Sequence, residues 1–265
     1  MSVITAAESI NQANQVFWDE MCGTVLAKKL GITDFSAQSL AKFDQWFFDF
    51  YPFLKKYFNR LALAGNNVLE IGLGYGTISS YLAAQAADYY AVDIAKGPVD
   101  LVNTRLAYLN KPQQATIQSC HALKFADNYF DNIVSIGCFH HTGSVEKCIA
   151  EAYRVLKPGG QLLFMCYNKH SLRMLRSAPL AIFLNPKNPL VLSPEHAFLF
   201  DSNTASEPAP FVELGSRGYY RKICAKFAKV DISYENCDNR WRRYILNNIA
   251  RILGLNIYVI CKKGE

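Results

Sequence analysis

The chain has 265 residues, 51% of them hydrophobic and 13% aromatic, with a formal net charge of +6 at pH 7. That length fits one α/β domain with additions, or at most two small domains, and the apolar content supports a sizeable core, which excludes intrinsic disorder. The basic residues are scattered, with no run of five or more like charges, so they mark a mildly basic surface rather than a nucleic-acid footprint.

Residues 1–15 have neither the basic n-region nor the apolar h-region of a signal peptide. No apolar run approaches the roughly 20 residues that cross a bilayer, so a cytoplasmic protein without a membrane span is expected. Residues 8–30 are expected to be helical, with Val16, Phe17, Met21, Val25 and Leu26 on one face and Gly31 as a stop. Residues 39–60 carry Phe43, Trp46, Phe47, Phe50, Phe53, Leu54, Tyr57 and Phe58, and Pro52 either kinks this segment or starts a new helix. Such aromatic density reads as N-terminal helices packed on the core that follows. A lid or pocket wall is the functional alternative. A membrane-surface helix is a third, given Lys42, Lys55, Lys56 and Arg60 nearby.

From residue 67 strands and helices alternate. Strands are predicted at 68–71, 88–93, 116–119, 132–136 and 161–166. A helix follows the first strand over 77–87. Pro98 fits the first turn of the next helix, which runs to about residue 110. Ser144 can cap a helix whose Val145, Cys148, Ile149, Ala152 and Val155 recur at spacings of three and four, and Lys157-Pro158-Gly159-Gly160 stops it. This rhythm predicts a parallel sheet with helices on both faces. It breaks at residues 179–210, which hold six of the ten prolines, at 179, 186, 189, 194, 208 and 210. Such an insertion is expected to be functional or mobile and to leave the carboxyl ends of the strands, where ligands bind in open α/β sheets. A helix over 216–226, a strand over 227–234, a helix over 240–253 and a strand over 257–261 complete the chain. The run Arg240-Trp241-Arg242-Arg243-Tyr244 mixes cations and aromatics, a pattern read here as an exposed helix face rather than an RNA site.

The eight cysteines stand at 22, 120, 138, 148, 166, 224, 237 and 261, with no C-x-x-C pair. They read as small buried hydrophobes of a reducing compartment, and no metal dependence is expected.

The stretch that organises the chain is Val68-Leu69-Glu70-Ile71-Gly72-Leu73-Gly74-Tyr75-Gly76-Thr77: an apolar strand, an acid, three glycines spaced by two, and a helix start. Glycines there let the backbone turn sharply and let a ligand lie against main-chain N–H groups. A dinucleotide turn, Gly-x-Gly-x-x-Gly, would need its third glycine at position 77, which is Thr77. A carboxylate at Glu70 would also repel a pyrophosphate and suits a ligand with positive charge at that end. Asp93, at the end of the second strand and 17 residues after Gly76, can accept both hydroxyls of a ribose.

The motif Glu70-Ile71-Gly72-Leu73-Gly74-Tyr75-Gly76 resembles the cofactor-binding motif of class I S-adenosylmethionine-dependent methyltransferases. The segment from Ser119 to Asp131 resembles the adenine-contacting segment of the same family, but Ser119 and Cys120 stand where an acid and an alanine usually lie, and Lys124 replaces a proline. Ser119 would then supply a weaker contact to the adenine amino group. Glu151-Ala152-Tyr153-Arg154-Val155-Leu156-Lys157-Pro158-Gly159-Gly160 resembles the segment before strand five in small-molecule methyltransferases. Together these matches cover about residues 66–170 in the right order.

The resemblance implies a Rossmann-like fold with a mainly parallel seven-stranded sheet, helices on both faces, an N-terminal helical segment and an insertion after strand five. It divides one methyltransferase domain into a cap (1–62), a cofactor-binding core (66–170), a substrate-side insertion (171–215) and C-terminal strands and helices (216–265). It implies S-adenosylmethionine as cofactor, S-adenosylhomocysteine as product, and cofactor contacts at Glu70, Gly72, Gly74, Gly76, Asp93, Ile94, Ser119, Cys120 and Gly137. His140 and His141, just past the fourth strand, are the candidates to take a proton, since a His titrates near neutrality. Tyr167 and His196 are candidates for the substrate side. The implied reaction is methyl transfer to a small-molecule or natural-product acceptor, most simply at oxygen, hydroxyl or carboxylate. The pattern Asn/Asp-Pro-Pro-Tyr/Phe, which resembling adenine and glutamine methylating enzymes carry after strand four, is replaced by Ile136-Gly137-Cys138-Phe139. The alternatives are a peptide or protein carboxylate or amine, RNA, a non-catalytic cofactor-binding scaffold, and a nicotinamide enzyme. Oligomeric state is left open.

Overall fold

The computed structural model describes residues 6–177, 180, 184–198, 200–236 and 251–265. Two N-terminal helices, α1 (Ala6–Asp19) and α2 (Thr24–Lys29), replace the single helix expected over 8–30. The break falls at Gly23, whose φ of +109° lies outside what a helix allows. Helices α3 (Ala37–Phe50) and α4 (Leu54–Phe58) follow, separated at Pro52. The Ser36 side chain caps α3 by accepting the Ser39 N–H.

The core then alternates: β1 (Asn67–Ile71), α5 (Thr77–Ala83), β2 (Asp88–Asp93), α6 (Lys96–Tyr108), β3 (Ala115–Ile117), β4 (Phe130–Ile136), a 3₁₀ turn (Phe139–His141), α7 (Val145–Val155) and β5 (Leu156–Tyr167). Strand β5 starts five residues earlier than the predicted 161, because Leu156 already pairs with Phe130 across an irregular register. Beyond it lie α8 (Leu172–Ser177), a small antiparallel pair of β6 (Leu190–Val191) and β7 (Glu213–Leu214) flanking α9 (Pro194–Ala197), then α10 (Arg217–Ile223), β8 (Lys229–Glu235) and β9 (Asn256–Lys262). Of the helix expected over 240–253, only residues 251–253 fall within the described residues, and they are helical. The Arg240–Tyr244 run, Cys237 and Pro179 lie outside them.

The main sheet has seven strands in the order β3-β2-β1-β4-β5-β9-β8. Strands β1 to β5 are parallel, while β9 is antiparallel to both of its neighbours. Alternate residues of β1 feed cores on opposite faces: Leu69 and Ile71 join one that includes Val145, Ile149 and Tyr220, and Val68 joins one that includes Phe58, Leu82 and Leu106. Helix α7 illustrates how local signals agree with packing. The Ser144 hydroxyl accepts the Lys147 N–H at its start, and Val145, Cys148, Ile149, Ala152 and Val155 are all buried. Among the described residues no helix is long and apolar enough to cross a membrane.

With β1 to β5 parallel, their carboxyl ends share one edge of the sheet. Residues at or just past those ends, Ile71, Asp93, Gln118, Ile136 and Tyr167, line a single cavity of about 840 Å³. Helices α1 and α3 wall it from one side, and the segment after β5 contributes Phe200 and Asp201.

Candidate active site

One end of the cavity is built on the glycine-rich turn between β1 and α5. Gly72, Gly74 and Gly76 all have left-handed φ, at +82°, +52° and +75°. At Gly72 a Cβ would collide with the side chain of Cys138, just past β4, so position 72 admits glycine on two counts. A Cβ at Gly76 would meet Arg105 Cδ at 2.7 Å. Arg105 is 3% exposed and donates to both carboxylate oxygens of Asp44, at 2.9 and 3.0 Å. Thr77 donates to the same carboxylate at 2.6 Å. The turn is thereby fastened to helix α3.

Asp93 meets the turn from β2. One carboxylate oxygen accepts the Leu73 N–H at 2.8 Å and the other the Ala95 N–H at 3.0 Å. Burial pushes its pKa up and these backbone donors pull it down. Each oxygen keeps a second lone pair, and Asp93 lines the cavity, which is what two ribose hydroxyls need. Ile94, Ser119, Cys120 and Gly137 line the same region. The residues present therefore fit S-adenosylmethionine: a glycine-rich cradle, a carboxylate bonded to that turn and facing the same cavity, and apolar walls.

Glu70 differs from its expected role. It borders the cavity, but it is 2% exposed and its carboxyl is bonded to the Tyr89 hydroxyl. Burial, partly offset by Tyr89 and Ser79, pushes its pKa up to about 8. A raised pKa weakens the negative charge that this carboxyl can present to a cationic ligand.

The opposite end gathers groups that are far apart in the chain. His141, on the 3₁₀ turn, is 4% exposed; its Nδ1 donates to the Phe211 carbonyl at 2.8 Å, and its own carbonyl accepts Asn14 Nδ2 at 2.6 Å. That fixes the Nδ1–H tautomer and leaves Nε2 as a lone pair 3.5 Å from Asp201 Oδ2. Asp201 Oδ1 accepts the Tyr167 hydroxyl at 3.1 Å. The Trp18 ring lies 4.8 Å from that of His141. Burial lowers the pKa of His141 against the pull of Asp201 and of the Phe211 carbonyl.

His140 is placed otherwise than expected. It is fully buried, it is not among the cavity-lining residues, and it packs between His141 and Tyr167 with ring centroids 4.1 and 4.2 Å away. Burial drives its pKa well below the ordinary value, and its ring presents no face to the cavity. His196 lies on α9, hydrogen-bonded to Ser193 and away from the cavity lining. Tyr167 does line the cavity. Sequence reasoning missed Asn14, Asp44, Arg173 and Asp201, which have no local pattern. It met Trp46 and Phe50 only as part of an aromatic run; their rings stack at 4.7 Å and both line the cavity.

Among the described residues the fold also assembles two clusters of potential metal ligands that the spacing did not reveal. Cys120, His121 and Cys148 form a partnered chain: the two sulfurs are 3.2 Å apart, and Thr142 Oγ1 lies 3.1 Å from Cys148 and 3.2 Å from His121 Nε2. His140, His141 and Asp201 form the second cluster.

Residues 69–164 match the family described as methyltransferase domain. A demethylmenaquinone methyltransferase of Symbiobacterium thermophilum is 31% identical over 117 residues, covering 42% of this chain and 47% of that one. A ubiquinone biosynthesis O-methyltransferase of Pseudomonas putida is 29% identical over 114 residues, covering 42% and 48%. The chain thus spans about half the length of the curated relatives it matches. A solved SAM-dependent methyltransferase of Methanosarcina mazei, 18% identical, has the same fold, with a TM-score of 0.58 over 78% of this chain and 97% of that one. Residues 69–164 accordingly match a methyltransferase domain, and the chain has the fold of a SAM-dependent methyltransferase.

Proposed function

We propose that this protein transfers a methyl group from S-adenosylmethionine to a small organic acceptor of the natural-product kind, at oxygen. The observation that carries the reading is that one cavity joins the glycine-rich turn and Asp93 at one end to His141, Asp201 and Tyr167 at the other. Gly72, Gly74 and Gly76 would seat the cofactor, Asp93 its ribose, and Ile94, Ser119 and Cys120 its adenine. Bound there, S-adenosylmethionine supplies a methyl carbon already activated on a sulfonium.

The remaining work falls to the chain's own residues. Trp18, Trp46, Phe50 and Tyr51 line the cavity and give a flat apolar acceptor surfaces to stack on while keeping water out. Such positioning can supply roughly 7–11 kcal/mol of the barrier. A hydroxyl acceptor must also lose a proton. The Nε2 lone pair of His141 beside Asp201 can take it, a contribution of about 10²–10⁴-fold.

Incubation with S-adenosylmethionine carrying a labelled methyl group, in extract of the source cells, tests this. Label in small organic-soluble material is expected. Label in protein, peptide or RNA would replace the acceptor class. No label, with tight S-adenosylhomocysteine binding and a source extract known to contain small phenols and alcohols, would favour a scaffold.

A further inference from the structure

The two ligand clusters differ in one respect that matters. In the Cys120–His121–Cys148 group each ligating atom already has a polar neighbour within the protein. In the His140–His141–Asp201 group they do not. Both ring nitrogens of His140 and Oδ2 of Asp201 are buried with no hydrogen-bond partner among the described residues. His141 Nε2 faces Asp201 Oδ2 at 3.5 Å, beyond the usual 2.7–3.2 Å range of an N–H···O bond. A buried polar atom left without a partner is costly, and His140 and Asp201, which carry such atoms and converge with His141, call for one shared occupant.

We propose that His140, His141 and Asp201 bind a divalent transition-metal ion of the zinc class at the acceptor end of the cavity. The ligating atoms lie within 4.8 Å of one another. A tetrahedral ion with bonds of about 2.0–2.2 Å holds its ligand atoms roughly 3.4 Å apart, close to the His141–Asp201 spacing. Two imidazoles and one carboxylate form a borderline set that suits zinc and leaves a fourth position open.

Two of the three ligands, His141 and Asp201, have the supporting bonds a metal site needs. A ligating histidine normally donates its other ring N–H to a backbone carbonyl or carboxylate, and His141 Nδ1 does so to Phe211. A ligating carboxylate is itself hydrogen-bonded, and Asp201 Oδ1 accepts the Tyr167 hydroxyl. The arrangement also gives the fully buried His140 a task that its missing contact with the cavity otherwise denies it.

The inference rests on the reading of this end of the cavity as the acceptor site. With the ion in place, the open fourth position would take the acceptor hydroxyl and lower its pKa, so that its proton would pass to solvent water and His141 would serve as a ligand instead of a base.

The test uses the full-length protein, stripped with chelator, loaded with zinc chloride and freed of excess by gel filtration. One zinc per chain is expected by elemental analysis, lost in His140→Ala and in Asp201→Ala and kept in Cys148→Ala. No retained zinc, or zinc that survives in His140→Ala and disappears in Cys148→Ala, would overturn it. Cobalt substitution of the unaltered protein gives an independent answer should a variant fail to fold. Visible ligand-field bands without thiolate-to-cobalt charge transfer support the site, and charge transfer assigns the ion to the cysteines instead. S-adenosylhomocysteine binding, measured in parallel by calorimetry, separates the two readings. Cofactor binding without zinc sinks the metal site alone. Zinc without cofactor binding sinks the methyltransferase reading alone.

Discussion

The two ends of the cavity are made in different ways. The cofactor end comes from residues 70–137, with Asp44 joining from α3, and its carboxylates are already partnered. Leu73 and Ala95 hold Asp93, and Asp44 holds Arg105. The acceptor end is drawn from residues 14, 18, 141, 167 and 201, and Asp201 and the adjacent His140 are left with unpartnered atoms. The family match covers residues 69–164 and so takes in the first end while omitting Asn14, Trp18, Tyr167 and Asp201 of the second. Within the proposed function, the half that the family match covers would take the shared cofactor, and the half assembled from distant residues would set the acceptor.

If that contrast holds, substitutions at the two ends should fail differently. The largest effect belongs to the joint between them. Asp44→Ala leaves Arg105 buried without its partner and should cost about 3–5 kcal/mol of stability in urea unfolding. A loss under about 1 kcal/mol would mean the pair behaves as an exposed one. Next, His141→Ala should lower turnover about 100-fold while S-adenosylhomocysteine affinity stays the same. Equal losses in both would erase the division between the ends. Gly72→Ala should do the reverse. Its left-handed φ alone carries about 1–2 kcal/mol of strain for a residue with a Cβ, before the collision with Cys138, so cofactor affinity should fall tenfold or more.

The last effect concerns Glu70 and is read as a slope against pH. Its folded pKa is raised from the ordinary 4.5 to about 8, so between those values the native state holds a proton that the unfolded chain has released. Stability should therefore fall as pH rises through that window, by at most about 1.4 kcal/mol per pH unit. Glu70→Gln should flatten that part of the profile. An identical slope in both proteins would show that the Glu70 carboxyl ionises freely and restore its expected charge to the cofactor end.

The same contrast explains what could be read from the sequence. The turn at Gly72–Gly76, Asp93 and the helix capped by Ser144 are local patterns in which spacing alone dictates geometry. The parallel sheet followed from their alternation, and its seven strands were what the family resemblance implied. Asp44 and Arg105 are 61 residues apart and Asn14 and His141 are 127 apart, and no local rule links such pairs. His140 and His141 were indistinguishable as neighbours in a sequence. On a 3₁₀ turn successive side chains point about 120° apart, so one lines the cavity and the other is sealed behind it. Glu70 was placed correctly on its strand, but its ionisation depends on Tyr89 and on burial, neither of which a motif records.

The antiparallel course of β9 has a practical consequence. The strand enters beside the cavity, where Asn256 pairs with Tyr167, and leaves at the far edge, where Lys262 pairs with Gln161. A tether attached at Glu265 therefore projects away from the ligand-binding edge of the sheet. The protein can be fixed to a sensor surface through that end, so that cofactor and zinc titrations are read from one immobilised sample.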